Sequence, residues 1–222
     1  MKLSQQIVGQ FRSPLIIAIA LFFTGCVAPL NTSFESARML KQGEMEFMGS
    51  YARYSTGEGS ELEHSNSNIS ARAGIGVTDK FNIKMRYARL MPPMSESDAV
   101  NYLALEPKFT ILQDHIAAVA PFGAYFAGGD SEFFVSPKFL FTYPSANNKL
   151  DVTFGTKTDI FFNDWDVYLG LNLGAGFSSD LSRWAIRPEV GYLVDLGTSD
   201  PGERAYAWNW GVGFVYTISD VW

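Results

Sequence analysis

The 222-residue sequence predicts an all-β fold: a closed antiparallel transmembrane β-barrel of ten strands, with eight or twelve as the neighbouring even counts. Three observations carry this. From Glu44 onward apolar residues recur with a period of two, the pattern of strands whose two faces differ. The alternating stretches run to about 10–13 residues, enough for a tilted strand to cross a bilayer. Charged residues make up only 18% of the chain, against 15% aromatics and 20 glycines, which is too little charge for an ordinary solvated surface. A single cysteine excludes a disulfide framework and a multi-cysteine zinc site. With 17 basic residues against 23 acidic ones, and no basic run, nucleic acid is not an expected partner.

Lys2 and Arg12 precede an apolar run at 15–23 that is too short to span a bilayer as a helix and is proportioned like the core of a secretory signal peptide. The run ends in Phe23-Thr24-Gly25-Cys26, which resembles the lipobox of bacterial lipoproteins with Phe23 in place of the usual leucine. The resemblance implies a signal peptide over 1–25 and lipidation of Cys26, cleavage without lipidation being the alternative. Val27, rather than aspartate, after the cysteine implies sorting to the outer membrane. Residues 26–43 read as a lipidated tether, with Pro29, Asn31 and Ser33 interrupting any period and a short helical turn near 35–40. Residues 44–222 read as the barrel.

Strands are expected near 44–54, 67–77, 81–90, 100–111, 116–127, 133–143, 150–162, 167–178, 184–195 and 205–218. The clearest unit is the hairpin around Thr78-Asp79-Lys80. Its first arm sets Ile69, Ala71, Ala73, Ile75 and Val77 against Ser70, Arg72, Gly74 and Gly76, and its second alternates Phe81, Ile83, Met85 and Tyr87. Alternation alone does not say which face points inward. A soluble lipocalin-like carrier would bury the apolar face, and a membrane barrel would expose it. Sparse charge on the polar parity, short turns alternating with longer loops, and Tyr54, Tyr143, Trp184 and Trp208 near strand ends point to the membrane arrangement with aromatic girdles.

At the C-terminus Phe214, Tyr216 and Ile218 alternate toward Trp222, similar to the assembly signal of bacterial outer-membrane barrels, although Asp220 stands where a hydrophobe is usual. The turn at 76–81 resembles the periplasmic turns of small outer-membrane proteins. Together these resemblances imply a small Gram-negative outer-membrane β-barrel with periplasmic N- and C-termini. They also imply three partners: outer-membrane lipids, lipopolysaccharide and the barrel-assembly machinery.

The inward parity then carries Arg72, Lys84, Arg86, Lys108, Lys138, Lys157 and Arg187 with Glu46, Glu106, Asp151, Asp159, Glu189 and Asp195. Buried charges must be paired, so a cross-linked, narrow, charge-filled lumen is expected. Pro107, Pro137 and Pro188 each lie beside one of these charges, and β-bulges are expected there because proline lacks a ladder donor. The outward loops hold Glu58, Glu61, Glu63, Glu96, Asp98, Asp130, Glu132, Asp164, Asp166, Asp200 and Glu203 against Arg204. That rim is either a solvated surface or a binder of divalent cations bridging to lipopolysaccharide phosphates.

No cofactor motif or metal-ligand spacing is present. His64 and His115 are the only histidines. Glu63-His64-Ser65 faintly resembles the outer-membrane lipid A deacylases, but adjacent strand residues point apart and make a poor relay. The expected function is a structural or surface-interaction role. The alternatives are a small-solute channel, a lipid-modifying enzyme and the soluble carrier.

Overall fold

The computed structural model describes residues 29–58, 61–92, 99–163, 165–197 and 205–219, with the backbone alone at 58 and 61–65. Twelve strands and no helix occur among them: β1 (Met45–Glu58), β2 (Glu61–Thr78), β3 (Phe81–Met91), β4 (Val100–Leu112), β5 (Ile116–Val119), β6 (Phe122–Ala127), β7 (Asp130–Val135), β8 (Lys138–Pro144), β9 (Leu150–Phe161), β10 (Val167–Phe177), β11 (Trp184–Asp195) and β12 (Tyr206–Ile218). Strands β5 and β6 are two halves of one barrel stave, and so are β7 and β8, so the staves number ten. All pairings are antiparallel, and β1–β12 together with β9–β10 close the circuit.

Stepping from stave to stave through paired residues, a path that leaves β1 at Met45 passes Ile75, Ile83 and Pro107 and returns through Val194 and Tyr206 to Gly57. Such a stagger over ten staves tilts the strands about 40° and gives a Cα cylinder about 10 Å in radius. That interior can hold side chains and little else unless many of them are small.

The expected strands match in number and nearly in extent, with two differences. Strands β1 and β2 run past their expected ends to Glu58 and from Glu61, so much of the expected loop at 55–66 is paired strand. The expected single strands at 116–127 and 133–143 are each interrupted, at Pro121 and Pro137. The bulges expected at Pro107, Pro137 and Pro188 are absent. Register runs unbroken past all three prolines, and the shifts fall instead at Tyr54/Ser55, Gly76/Thr78 and Thr110/Leu112. Each interior proline forfeits only its missing donor. The Pro107 carbonyl accepts from Ala120 N at 2.9 Å, Pro121 from Ser136 N at 2.8 Å and Pro137 from Thr158 N at 3.0 Å.

The polarity is inverted relative to a soluble barrel, which removes the lipocalin-like alternative. On β12 the outward residues Trp208, Trp210, Val212, Phe214, Tyr216 and Ile218 are all exposed, while Ala207, Asn209 and Val215 on the alternate parity are buried. The other staves follow suit, with Leu103, Leu105, Phe139, Phe154, Leu171 and Val190 facing out. Cross-strand aromatics mark both ends of this belt. Trp184 stacks on Phe214 and Phe81 on Phe109 at the short-turn end, and Tyr192 packs on Trp208 at the other. Trp208 and Tyr216 are eight residues apart on a tilted strand, about 20 Å along the barrel axis. Tyr54, expected in a girdle, instead lies on the inward parity of β1 with Ser50 and Ala52 and is fully buried.

Candidate functional site

The stretch expected to be a tether lies inside the barrel. Leu30, Asn31, Thr32, Ser33, Phe34, Glu35, Ser36, Ala37 and Leu40 are all buried, and no helical turn forms at 35–40. The segment descends antiparallel to β1. It starts near Tyr54 and Tyr125, toward the long hairpins, and leaves beside the 79–80 turn, where Gly43 N donates to Gly76 O. Gly43 adopts a φ of 82°, which reverses the chain into β1. Thus β1 begins and β12 ends at the short-turn end, while the first described residues lie in the opposite half. Cys26, the signal segment 1–25 and Trp222 lie outside the described residues.

Glycines make the room. A Cβ on Gly170 would stand 2.4 Å from Asn31 Oδ1, one on Gly191 2.7 Å from Asn31 Nδ2, and one on Gly213 2.9 Å from the Phe34 Cβ. These positions form a smooth wall on β10–β12. The opposite wall, from β2 to β9, carries the large cations, and the segment is seated between the two.

Of the thirteen inward charges expected from sequence, eleven are buried, Arg72, Lys84, Arg86, Glu106, Lys108, Lys138, Asp151, Lys157, Asp159, Arg187 and Glu189, while Glu46 and Asp195 are half-buried. Much of their pairing runs through the inner segment rather than directly across the wall. Glu35 gathers four cations, with Lys84 at 2.9 Å, Lys108 and Lys138 at 3.4 Å and Arg72 at 3.6 Å. Five carbonyls of the segment accept from the basic wall: Leu30 from Lys157 (2.6 Å), Thr32 from Arg86 (2.6 Å), Ser33 from Arg72 (3.0 Å), and Ser36 and Arg38 from Lys108 (2.6 and 2.7 Å). On the other side the Glu189 carboxylate accepts from Ser33 N and Phe34 N, each at 2.7 Å. Peptide dipoles are thus oriented, oxygens toward cations and N–H toward Glu189, so these desolvated groups keep hydrogen-bond partners.

Pairs within the wall are fewer. Lys84 meets Glu46 at 2.8 Å, Lys157 meets Asp159 at 2.6 Å, and Arg187 grips Asp151 through both terminal nitrogens while Arg38 Nε approaches it at 3.0 Å. Asp195 is not in this network and lies half-buried at the end of β11, accepting from Gly197 N.

Toward the hairpins the lumen becomes aromatic. Tyr102, Tyr125 and Phe134 pack with ring centroids about 5.1–5.2 Å apart, and Phe161 and Tyr168 extend the layer. The Tyr125 hydroxyl accepts from Leu30 N, and the Tyr54 hydroxyl from Asn31 N and Thr32 N. Sequence reading missed this layer. Its trace is a set of aromatic doublets (Tyr125-Phe126, Phe133-Phe134, Phe161-Phe162) that are apolar on both faces. At the short-turn end the lumen widens into a vestibule of about 440 Å³ bordered by Arg38, Glu44, Lys84, Lys108 and Asp180. Asp180, exposed in the turn before β11, accepts from Ser182 N and Oγ, and these bonds lower its pKa.

Phe214, Tyr216 and Ile218 face outward on the last stave. Asp130 lies beside Gly128 and Gly129, whose positive φ values form the β6–β7 turn; Glu132 follows it on β7 of the same hairpin, and Asp166 precedes β10 in the next. The His64 side chain lies outside the described residues. His115 sits in the β4–β5 turn with Nδ1 2.8 Å from the Gln113 carbonyl. No cluster of three metal-ligating side chains occurs among the described residues.

The architecture is a closed, lipid-compatible β-barrel filled by its own chain. No protein-family model matches the sequence, and no curated protein matches it. Among solved structures, the barrel is similar to the attachment invasion locus protein Ail of Yersinia pestis at 15% identity and a TM-score of 0.36, covering 79% of this chain and 99% of that one. It is also similar to an outer-membrane channel from Pseudomonas putida F1 at 9% identity and a TM-score of 0.48, covering 82% and 98%. The KdgM porin is a third, at 10% identity and a TM-score of 0.42, covering 78% and 98%.

Proposed function

We propose that the chain is a bacterial outer-membrane β-barrel, closed at rest by its own residues 29–40, with a structural or surface-interaction role. The observation that carries this reading is the inverted polarity: a continuous apolar exterior around an interior of charge and hydrogen bonds, the arrangement a bilayer stabilises and water does not. A filled lumen leaves the outward hairpins and their acidic rim as the surface available to partners, with outer-membrane lipids and lipopolysaccharide adjoining it. Phe214, Tyr216, Ile218 and Trp222 would serve as the assembly signal. Cys26 would carry the lipid, and the short-turn end would face the periplasm.

Membrane fractionation of wild type and Cys26→Ala, with boiled and unboiled gel mobility compared, tests the reading. Membrane retention and a heat-dependent mobility shift in both proteins, with lipid labelling lost only in the variant, is the expected outcome. A wild-type chain washed from membranes at high pH, with no shift, overturns it.

A further inference from the structure

We propose that the lumen is an anion-selective path held shut by residues 29–40. The inference rests on the membrane-barrel reading and adds an activity to it. Three features of the interior lead there.

The inner segment is separable from the barrel. Its backbone meets the wall through side chains, as at Tyr125, Glu189 and Thr142, and its first ladder-like bond with a stave comes only at Gly43. Withdrawing it about the Gly43 bend breaks no stave–stave pairing. The bend has the positive φ that glycine tolerates.

The wall it uncovers is basic. Arg72, Lys84, Arg86, Lys108, Lys138 and Lys157 form one arc from β2 to β9, with Glu106, Asp151 and Asp159 the buried acids on that arc. Glu35, which neutralises four of these cations, leaves with the segment, and so do Arg38, the carbonyls that solvate four of the six and the Ser33 hydroxyl that meets Lys138. Charged side chains lining a narrow pore select for the opposite sign, so the uncovered arc favours small anions.

The space left joins the short-turn vestibule, and toward the hairpins it meets the layer of Tyr102, Tyr125 and Phe134, which must part for ions to cross once Tyr125 has released Leu30 N. Gly170, Gly191 and Gly213 line the facing wall without side chains, and the 440 Å³ vestibule already reaches Arg72, Lys84 and Lys108 from the short-turn end. The opening would have the width of one extended chain, suiting inorganic anions and small carboxylates rather than macromolecules.

The test uses three full-membrane preparations: wild type, a deletion of residues 29–40, and full-length Glu35→Lys, which sets a fifth cation among four. Each is reconstituted in planar bilayers under a potassium chloride gradient, with heat-dependent gel mobility as the folding control. Wild type is expected to stay closed. Either variant should conduct, with chloride passing at least about threefold more readily than potassium, and Lys108→Glu added to it should lower that ratio toward one. Folded variants that are both silent, or a pore preferring potassium, overturn the inference and leave the barrel reading standing. A wild type open at rest overturns the closing role. Should the deletion fail to fold, Glu35→Lys decides alone; a wild type without heat-dependent mobility instead removes the barrel reading beneath it.

Discussion

Glu35→Gln removes the one carboxylate shared by Lys84, Lys108, Lys138 and Arg72 while keeping side-chain size. Breaking a buried ion pair from one side costs about 3–5 kcal/mol. The lower end applies here, because three of the four cations keep other partners. Lys84 retains Glu46 at 2.8 Å, Lys108 the Ser36 and Arg38 carbonyls, and Arg72 the Ser33 carbonyl. Lys138 is left with Ser33 Oγ at 3.4 Å and bears most of the loss. The penalty falls on docking of the inner segment, not on the sheet. Amide hydrogen exchange in micelles measures it at Ser33, Phe34 and Ala37, whose N–H groups bond to Glu189 and Thr142 side chains. A loss of about 3 kcal/mol accelerates exchange there by roughly 150-fold. Strand amides at the β1–β12 seam should not change. Acceleration below about threefold at the three inner amides would refute the role given to Glu35.

Three further outcomes are expected. Val212→Arg places a charge midway between Trp208 and Tyr216 on the outward face of β12; it should destabilise the barrel in vesicles by about 2–4 kcal/mol, and a urea midpoint equal to wild type would mean that this face does not meet lipid. Gly76→Ala would set a Cβ 2.0 Å from the Lys41 carbonyl oxygen, where the chain leaves the lumen, costing about 1–3 kcal/mol by overpacking; unchanged refolding would show that residues 40–41 do not pass there. Cys26→Ala should abolish incorporation of labelled palmitate yet preserve heat-dependent mobility, and label persisting in the variant would remove Cys26 as the acylation site.

The staves and their facing were legible because a period of two is repeated along every strand and the two parities differ in chemistry, as Ile69, Ala71 and Ala73 differ from Ser70 and Arg72. The ends of β1 and β2 were not, since the paired Ser55–Gly57 stretch has the composition of a loop. The lumen cations could be named from parity, but their partners could not. Residues 29–40 occur once, have no period, and gain structure only from a wall whose parts are up to 178 positions away, as between Asn31 and Asn209. The inward glycines were visible in the sequence, and their purpose was not. An abundance of Gly170, Gly191 and Gly213 on a polar parity signals space, and only the folded barrel shows the segment that fills it.

The central claim is that the chain's own residues occupy the barrel. Nuclear Overhauser contacts in micelles or nanodiscs test it most directly, with the Phe34 ring, Asn31 side chain and Gly213 and Gly191 α-protons as reporters. Cross-peaks between Phe34 and Gly213 and between Asn31 and Gly191 are expected, since these groups lie in van der Waals contact. Random-coil shifts across residues 29–40, with neither cross-peak, would contradict it.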